Sequence, residues 1–289
     1  MMNTQPWSAD DPPEQGLGLM RLTEAGTDPD RDPTAVVHAA LDVGVTLLDT
    51  AEMYRNEELV GRTIAGRREE VILCSKFGVR WGDSGRFDDW SVHADAATVV
   101  SSCEGSLRRL GVEVIDLYYL HHRSEHTPIE ETVSAMAGLI EAGKIRSIGL
   151  SNVTVEDVRR AHAVHPVLAV QEAWSLSTPI PGSMSETLAE LGIALVAHSP
   201  TGHGALRAED STSLGVALGH IARHRGVSPG QVALAWVHCQ GRRRDEVVVP
   251  LPGTTSVRHL HDNVAAIGIE LDDSELDRLT EAAAPTSVA

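Results

Sequence analysis

Asp49, Tyr54, Lys76 and His121 are residue types that together can place one proton on a carbonyl oxygen. Tyrosine ordinarily titrates near about 10, so at neutral pH it is a weak but usable acid. A nearby ammonium favours the phenolate and lowers that value. Lys76 can supply the charge, and Asp49 can hold Lys76 as its ion-pair partner. His121 can hydrogen-bond the substrate oxygen and aim it. Donors would then converge where negative charge develops. The set has no metal-ligand spacing and no activated serine, so no metal is expected and the electrons must come from elsewhere. Hydride from a nicotinamide is the obvious source.

Each residue has a plainer reading beside this one. Asp49 can cap the next helix, His121 can be a satisfied rim histidine, and Ser151-Asn152 can be only the start of the helix at Thr154. Lys76 ends an otherwise apolar run, where an unpaired ammonium is costly to bury, which favours a partner such as Asp49. Tyr118 and Tyr119 lie in an apolar run and read as structural. Tyr54 lies just beyond a run, where packing has less claim on it.

Residues so far apart need a scaffold that gathers them. Short apolar or β-branched runs recur at Gly16–Met20, Thr46–Ala51, Val71–Lys76, Asp116–His121, Arg146–Ser151, Leu168–Ala173, Ala194–Pro200 and Val247–Gly253. Several are apolar at nearly every position, as in VILCSK and ALVAHS, the pattern of strands buried on both faces. Between them lie amphipathic stretches: Pro33–Val43, Asn56–Ala65, Ala97–Leu110, Ile129–Ala142, Thr154–Ala163, Met184–Leu191, Leu214–Arg225, Pro229–His238, Val257–Ile267 and Ser274–Ala284. Helix punctuation supports them, with Pro33 after Asp32, T-V-E-D at Thr154, and Gly111, Gly143 and Gly192 at the ends.

Eight strand–helix units in 289 residues predict an α/β fold, a single-domain (β/α)8 TIM barrel over 1–289, since such barrels take roughly 250 residues. An open doubly wound sheet is the alternative, but it wants a GxGxxG turn after its first strand. GLGLM lies inside the strand and has no third glycine opening a helix. In a barrel the residues at strand C-terminal ends meet at one rim. Two longer connections, 77–93 and 201–213, lie on that side and are candidates for closing over substrate or cofactor. Arg242-Arg243-Arg244 reads as a solvated loop before the last strand.

The net charge is −17, which repels phosphate backbones and anionic lipid. Nucleic-acid and membrane partners are therefore not expected. Three cysteines without CxxC spacing argue against a disulfide framework and fit a cytoplasmic setting. The first residues have neither a basic start nor an apolar core for a leader, and 1–15 is expected to be a poorly ordered tail. No heptads demand a partner, and the oligomeric state stays open.

The segments GVTLLDTAEMY (44–54), NEELVGRTIAGRREEVILCSKFG (56–78), DLYYLHH (116–122), GKIRSIGLSNV (143–153) and PLPGTTSVRHLHDN (250–263) resemble the aldo-keto reductase family. The resemblance runs from about Gly16 to Ala265. It implies a barrel with the cofactor extended over the rim, and Asp49, Tyr54, Lys76 and His121 as the catalytic tetrad. It implies that Ser151 and Asn152 hold the nicotinamide carboxamide beside Gln171, and that Trp174 stacks on the ring. Ser199, Gly202, Gly204 and Leu206 fall at the pyrophosphate loop. Met20, Arg21, His198 and Pro200 are further cofactor contacts, and Gly253, Thr254, Thr255, Arg258, Asp262 and Asn263 grip the adenosine end. Trp81, Trp90 and His122 are candidate substrate contacts.

The chain departs from the family pattern in three ways. It lacks the usual opening hairpin that plugs the lower end of the barrel, so that end is expected to be less covered. Thr255 stands where many relatives carry a cation for the 2′-phosphate of NADPH; Arg258 or His259 can substitute, so NADPH is expected and NADH stays open. His198 and His122 replace the residues usual at those positions. The expected activity is NADPH-dependent reduction of a small ketone or aldehyde, with Tyr54 as general acid. The alternatives are a non-catalytic nucleotide-binding barrel, or a specialised biosynthetic ketoreductase acting on a sugar or polyketide ketone.

Overall fold

Each of the eight apolar runs forms a strand, and the strands line up in one parallel sheet. The computed structural model describes residues 5–7, 11–24, 29–82, 84, 86, 89–202, 212–244 and 246–283. In chain order the strands are β1 (Gly16–Gly18), β2 (Leu47–Asp49), β3 (Ile72–Phe77), the hairpin pair β4 (Val79–Trp81) and β5 (Trp90–Val92), then β6 (Ile115–Leu120), β7 (Ile145–Ser151), β8 (Val167–Ala173), β9 (Ala194–His198) and β10 (Val248–Leu251). The sheet order is β1-β2-β3-β6-β7-β8-β9-β10. Gly18 bridges to Gly253 and its N–H donates to the Pro252 carbonyl at 3.0 Å, which brings the last strand back to the first. The result is a nearly closed single-domain barrel.

The helices are α1 (Pro33–Asp42), α2 (Glu57–Ile64), α3 (Ala96–Leu110), α4 (Ile129–Glu141), α5 (Val155–Val164), α6 (Gly182–Leu191), α7 (Ser213–Arg225), α8 (Pro229–Arg244), α9 (Val257–Ala265) and α10 (Asp273–Ala283). Their ends follow local chemistry. Asp32 accepts from the Thr34 and Ala35 N–H groups ahead of Pro33. Thr154 and Asp157 form a reciprocal capping box at α5, satisfying donors that a helix start leaves unpaired. α3 ends on Gly111 at φ 66, a left-handed turn that glycine adopts without strain.

Strand periodicity divides the core in two. Leu47, Cys74, Leu117, Tyr119, Ala169, Val196 and Val249 fill the bore. Leu48, Phe77, Tyr118, Leu120, Val170 and Leu195, one step away, pack outward under the helices. Tyr119 lies over Gly149, where a Cβ would collide with its ring. This confirms the structural reading of Tyr118 and Tyr119.

Three sequence expectations change. The run 242–244 is the last turn of α8, not a loop: cations are favoured at a helix C-terminus, and each arginine has a contact there. Arg242 donates to Cys239 Sγ at 3.2 Å, Arg243 pairs with Asp273 at 3.2 Å, and Arg244 donates to Ser185 Oγ at 3.1 Å. Within the segment 1–15, expected as a loose tail, the described residues Trp7 and Gln15 are packed in. Trp7 is 6 % exposed and packs with the bore residues, and Gln15 is buried against His238 at 3.1 Å. Trp7 thereby covers the end of the bore that was expected to be less covered. The long connection after β3 contains the β4–β5 hairpin, with Val79 opposite Val92 and Trp81 opposite Trp90. Among the described residues no helix is long and apolar enough to cross a membrane.

Candidate active site

The alternation that fills the bore continues past the ends of the strands and selects the polar residues there. In β2, Leu47 faces the bore, so Asp49 does too; in β3, Cys74 does the same for Lys76. Leu117 and Tyr119 lead to His121, Ala169 to Gln171, and Val196 to His198. Four of the five line one cavity shared with Tyr54, and Lys76 is buried beside them.

Lys76, 1 % exposed at its side chain, donates to the Asp49 carboxylate and, at 3.0 Å, to the Thr50 carbonyl. Gln171 Nε2 donates to the other Asp49 oxygen at 3.0 Å. Tyr54 ends a short helical turn, Glu52–Tyr54. That turn is held by Asn56, which accepts from Thr50 at 2.6 Å and donates to the Leu19 and Leu22 carbonyls at 2.7 and 3.2 Å. Trp81 Nε1 donates to the Met53 carbonyl at 3.0 Å, which ties the hairpin to the same turn. The Tyr54 and His121 rings meet edge to face, 5.7 Å between centroids and 85° between planes. Lys76 Nζ is 5.1 Å from the Tyr54 centroid.

The electrostatics correct one expectation. Burial raises the Tyr54 phenol above its ordinary value; the Lys76 charge opposes that and the Asp49 charge supports it. Lys76 was expected to bring Tyr54 down, but its charge is largely spent on Asp49. Tyr54 therefore holds its proton throughout the neutral range. Burial alone would push Lys76 down; the attraction of Asp49, joined by Tyr54, overcomes it and holds the ammonium above the usual lysine value. Burial, followed by the Lys76 charge, pushes His121 well below the usual histidine value. Its imidazole is neutral, and its Nδ1 is buried without a hydrogen-bond partner among the described residues.

The cavity has a volume of about 1090 Å³. Of the residues expected from sequence, it brings together Met20, Arg21, Asp49, Tyr54, Trp81, His121, Ser151, Asn152, Gln171, His198, Ser199, Pro200 and Gly253. The non-glycine residues with a left-handed backbone among the described residues are Arg55, Asn152 and Ser199, at φ 56, 54 and 53. All three line this cavity. Such conformations cost on the order of 1–3 kcal/mol and persist where surrounding structure imposes them, commonly at functional sites.

Other expected residues lie elsewhere. Trp174, expected beneath the nicotinamide, is 1 % exposed and belongs to the outer core. It packs edge-on to Trp236 at 6.0 Å, with the Arg244 guanidinium 5.4 Å from its ring. The reason is parity: Gln171 faces the bore, and an offset of three lands on the opposite face. Trp174 is not among the described lining residues, whereas the His198 ring is. The Trp90 and His122 rings meet at a tilt of 53°, 5.1 Å between centroids, outside the described cavity lining. Gly202 follows the lining residue Thr201. Thr254, Thr255, Arg258, Asp262 and Asn263 continue from Gly253 into α9, beyond the lining. There Thr255 accepts from Arg31 at 3.3 Å, and the Arg258 N–H donates to Asp30 at 3.1 Å. Gly204 and Leu206 fall outside the described residues.

Sequence reading missed the lining residues Gly18, Met53, Arg55, Gly82, Arg86, Thr201 and Leu251. It also missed Glu172, which accepts from the Val153 N–H at 2.9 Å and so holds the turn that carries Asn152. The signal for the hairpin was present in the alternation of Val79-Arg80-Trp81 and Trp90-Ser91-Val92.

The residues fit a nicotinamide dinucleotide. The cavity is at the upper end of the usual range for small-molecule sites. Asn152 commits its Nδ2 to the His121 carbonyl at 2.9 Å and to Ser151 Oγ at 3.0 Å, which leaves its Oδ1 to accept from a carboxamide. At Gly253 a Cβ would meet the Gly18 carbonyl oxygen at 3.2 Å, so bare backbone forms that end of the rim.

Comparison with known proteins agrees with this geometry. The model of the aldo/keto reductase family matches residues 15–284. A probable aldo-keto reductase of Glycine max is 37 % identical, covering 92 % of this chain and 84 % of that protein. The crystal structure of an aldo/keto reductase from Klebsiella pneumoniae in complex with NADP and acetate superposes with a TM-score of 0.79 at 30 % identity, covering 95 % of this chain and 93 % of that one. The glycerol dehydrogenase of Gluconobacter oxydans gives 0.81 at 25 % identity over 93 % and 90 % of the two chains. The chain belongs to the aldo/keto reductase family of oxidoreductases.

Proposed function

We propose that this protein reduces a ketone or aldehyde to the alcohol with NADPH, and that Tyr54 supplies the proton. The observation that carries the reading is the meeting of Tyr54 and His121 on the cavity wall, with the Lys76–Asp49 pair directly behind. The complex of the Klebsiella relative with NADP supports the choice of cofactor.

When bound, the nicotinamide supplies the hydride that reaches the carbonyl carbon. The residues of the chain do the rest. Ser151 and Asn152 orient the carboxamide. Neutral His121 directs the carbonyl oxygen toward Tyr54. As negative charge grows on that oxygen, Tyr54 Oη transfers its proton, and the carbonyl becomes a hydroxyl. The resulting phenolate is stabilised by the Lys76 ammonium, which Asp49 and Thr50 hold in place. Gln171 fixes the second Asp49 oxygen, so the pair cannot swing away. The three free, buried cysteines suit a cytoplasmic setting, where thiols stay reduced.

The experiment is oxidation of NADPH, followed by absorbance, against a panel of aromatic aldehydes, keto-sugars and diketones. Turnover that disappears in Tyr54→Phe, while NADPH still binds, is the expected result. Equal turnover by the variant would exclude Tyr54 as the acid.

A further inference from the structure

The charges around the cavity run against the charge of the chain. The protein carries −17 overall. Among the described residues lining the cavity, the charged ones are Arg21, Arg55, Arg86 and Asp49; Asp49 is neutralised by Lys76 and Arg86 is itself engaged in a contact. A surface that repels anions in general thus opens on a cavity that attracts them.

Arg55 is the informative member. It follows Tyr54 directly and is exposed at the cavity. Its acidic neighbours are spent elsewhere: Glu57 binds Arg109 at 2.7 Å and Ser75 at 2.6 Å, and Glu52 lies 3.5 Å from the same Arg109. No ion-pair partner for Arg55 occurs among the described residues. Its backbone is left-handed at φ 56, a conformation that is strained for a residue with a Cβ and that glycine or asparagine would adopt more readily. Arg86 reaches the cavity from the hairpin that Trp81 ties to the Tyr54 turn. Both arginines therefore border the substrate side. Arg21 follows β1, on the stretch assigned above to the cofactor.

Resting on the carbonyl-reductase reading, we infer that the physiological substrate carries an anionic group, a carboxylate or an equivalent oxyanion, on the same small molecule as the carbonyl. Arg55 receives that anion while the carbonyl lies at Tyr54 and His121. Arg55 is then a specificity-determining residue, not a catalytic one.

The test compares 4-carboxybenzaldehyde with its uncharged amide, 4-formylbenzamide, and reads the ratio of their kcat/KM values with NADPH. Exposed ion pairs are individually modest, so a carboxylate preference of about fivefold or more is expected at low salt. It should shrink as ionic strength rises and the Debye length falls to about 8 Å or less. Arg55→Gln should bring the ratio below about twofold, and Arg55→Lys should keep most of it, because the charge remains. A wild-type ratio near unity, or a ratio unchanged in Arg55→Gln, would overturn this inference while leaving the carbonyl-reductase reading intact. Absence of turnover with every aldehyde would instead overturn that reading, and this inference with it.

Discussion

Tyr54 stands edge-on to His121, their ring centroids 5.7 Å apart. A neutral donor and a proton-holding phenol thus face the same small volume. Removing the phenol oxygen removes the proton and little else. Tyr54→Phe should lower kcat by about 10²-fold or more, with the NADPH dissociation constant, measured by fluorescence titration, nearly unchanged.

The pH profile follows from the same pair. Tyr54 must be protonated to act, and burial raises its ordinary value of 10.0. His121 must be neutral, and burial holds it well below 6.5. The rate of reduction should therefore be flat across neutral pH and fall only when Tyr54 ionises on the alkaline side or His121 protonates on the acid side. A clear inflection of kcat between pH 6.5 and 9, with chemistry limiting the rate, would contradict both assignments.

Asp49 and Lys76 form a buried pair, and each is costly without the other. Asp49→Asn leaves the ammonium without its counter-charge and should destabilise the fold by about 3–5 kcal/mol. The double variant Asp49→Asn with Lys76→Met should regain much of that loss, because the orphaned charge is gone. Urea unfolding of the two single variants and the double closes the cycle; additive losses would show that the two residues are not energetically coupled.

Glu172 offers a test of stability against pH. Burial raises it to about 7 from 4.5, opposed by the Val153 and Asn152 N–H groups. A carboxyl raised on folding contributes its full stability below the unfolded value and loses it as pH rises through the folded one. Between its unfolded value of 4.5 and its folded value of about 7, rising pH should therefore remove about 3 kcal/mol of stability through this group. Glu172→Gln should flatten that part of the Tm profile. Parallel profiles for variant and wild type would remove Glu172 as the cause.

Cofactor choice can be read at the start of α9. Asp30 accepts from Ser256 Oγ at 2.5 Å and from the Arg258 N–H at 3.1 Å. A 2′-phosphate bound beside Arg258 would meet that carboxylate as a like charge. Asp30→Asn should shift the kcat/KM ratio of NADPH to NADH upward, and Arg258→Ala downward, each by about fivefold. A ratio that neither variant moves would place the adenosine end elsewhere.

The barrel and the meeting of Asp49, Tyr54, Lys76 and His121 at its rim were legible in the sequence for a physical reason. Strands buried on both faces read as unbroken apolar runs, so polar residues at their ends stand out, as Asp49 and Lys76 do. What was not legible depends on parity and on opposing energies. Trp174 sits three residues beyond Gln171, and only the strand phase shows that it faces outward while His198 faces the cavity. The Tyr54 proton depends on burial outweighing Lys76, and no spacing reveals that balance. Arg55 sat next to the most scrutinised residue of the chain, but its lack of a counter-charge depends on where Arg109 reaches from α3.

Trp7 has a practical consequence. Its side chain packs into the floor of the bore among Leu47, Cys74 and Leu117. A version of the protein shortened to start beyond it would let water reach those apolar walls from below, behind the reacting groups rather than through the mouth. Tags or trims at the front of this chain are therefore changes to the inside of the enzyme.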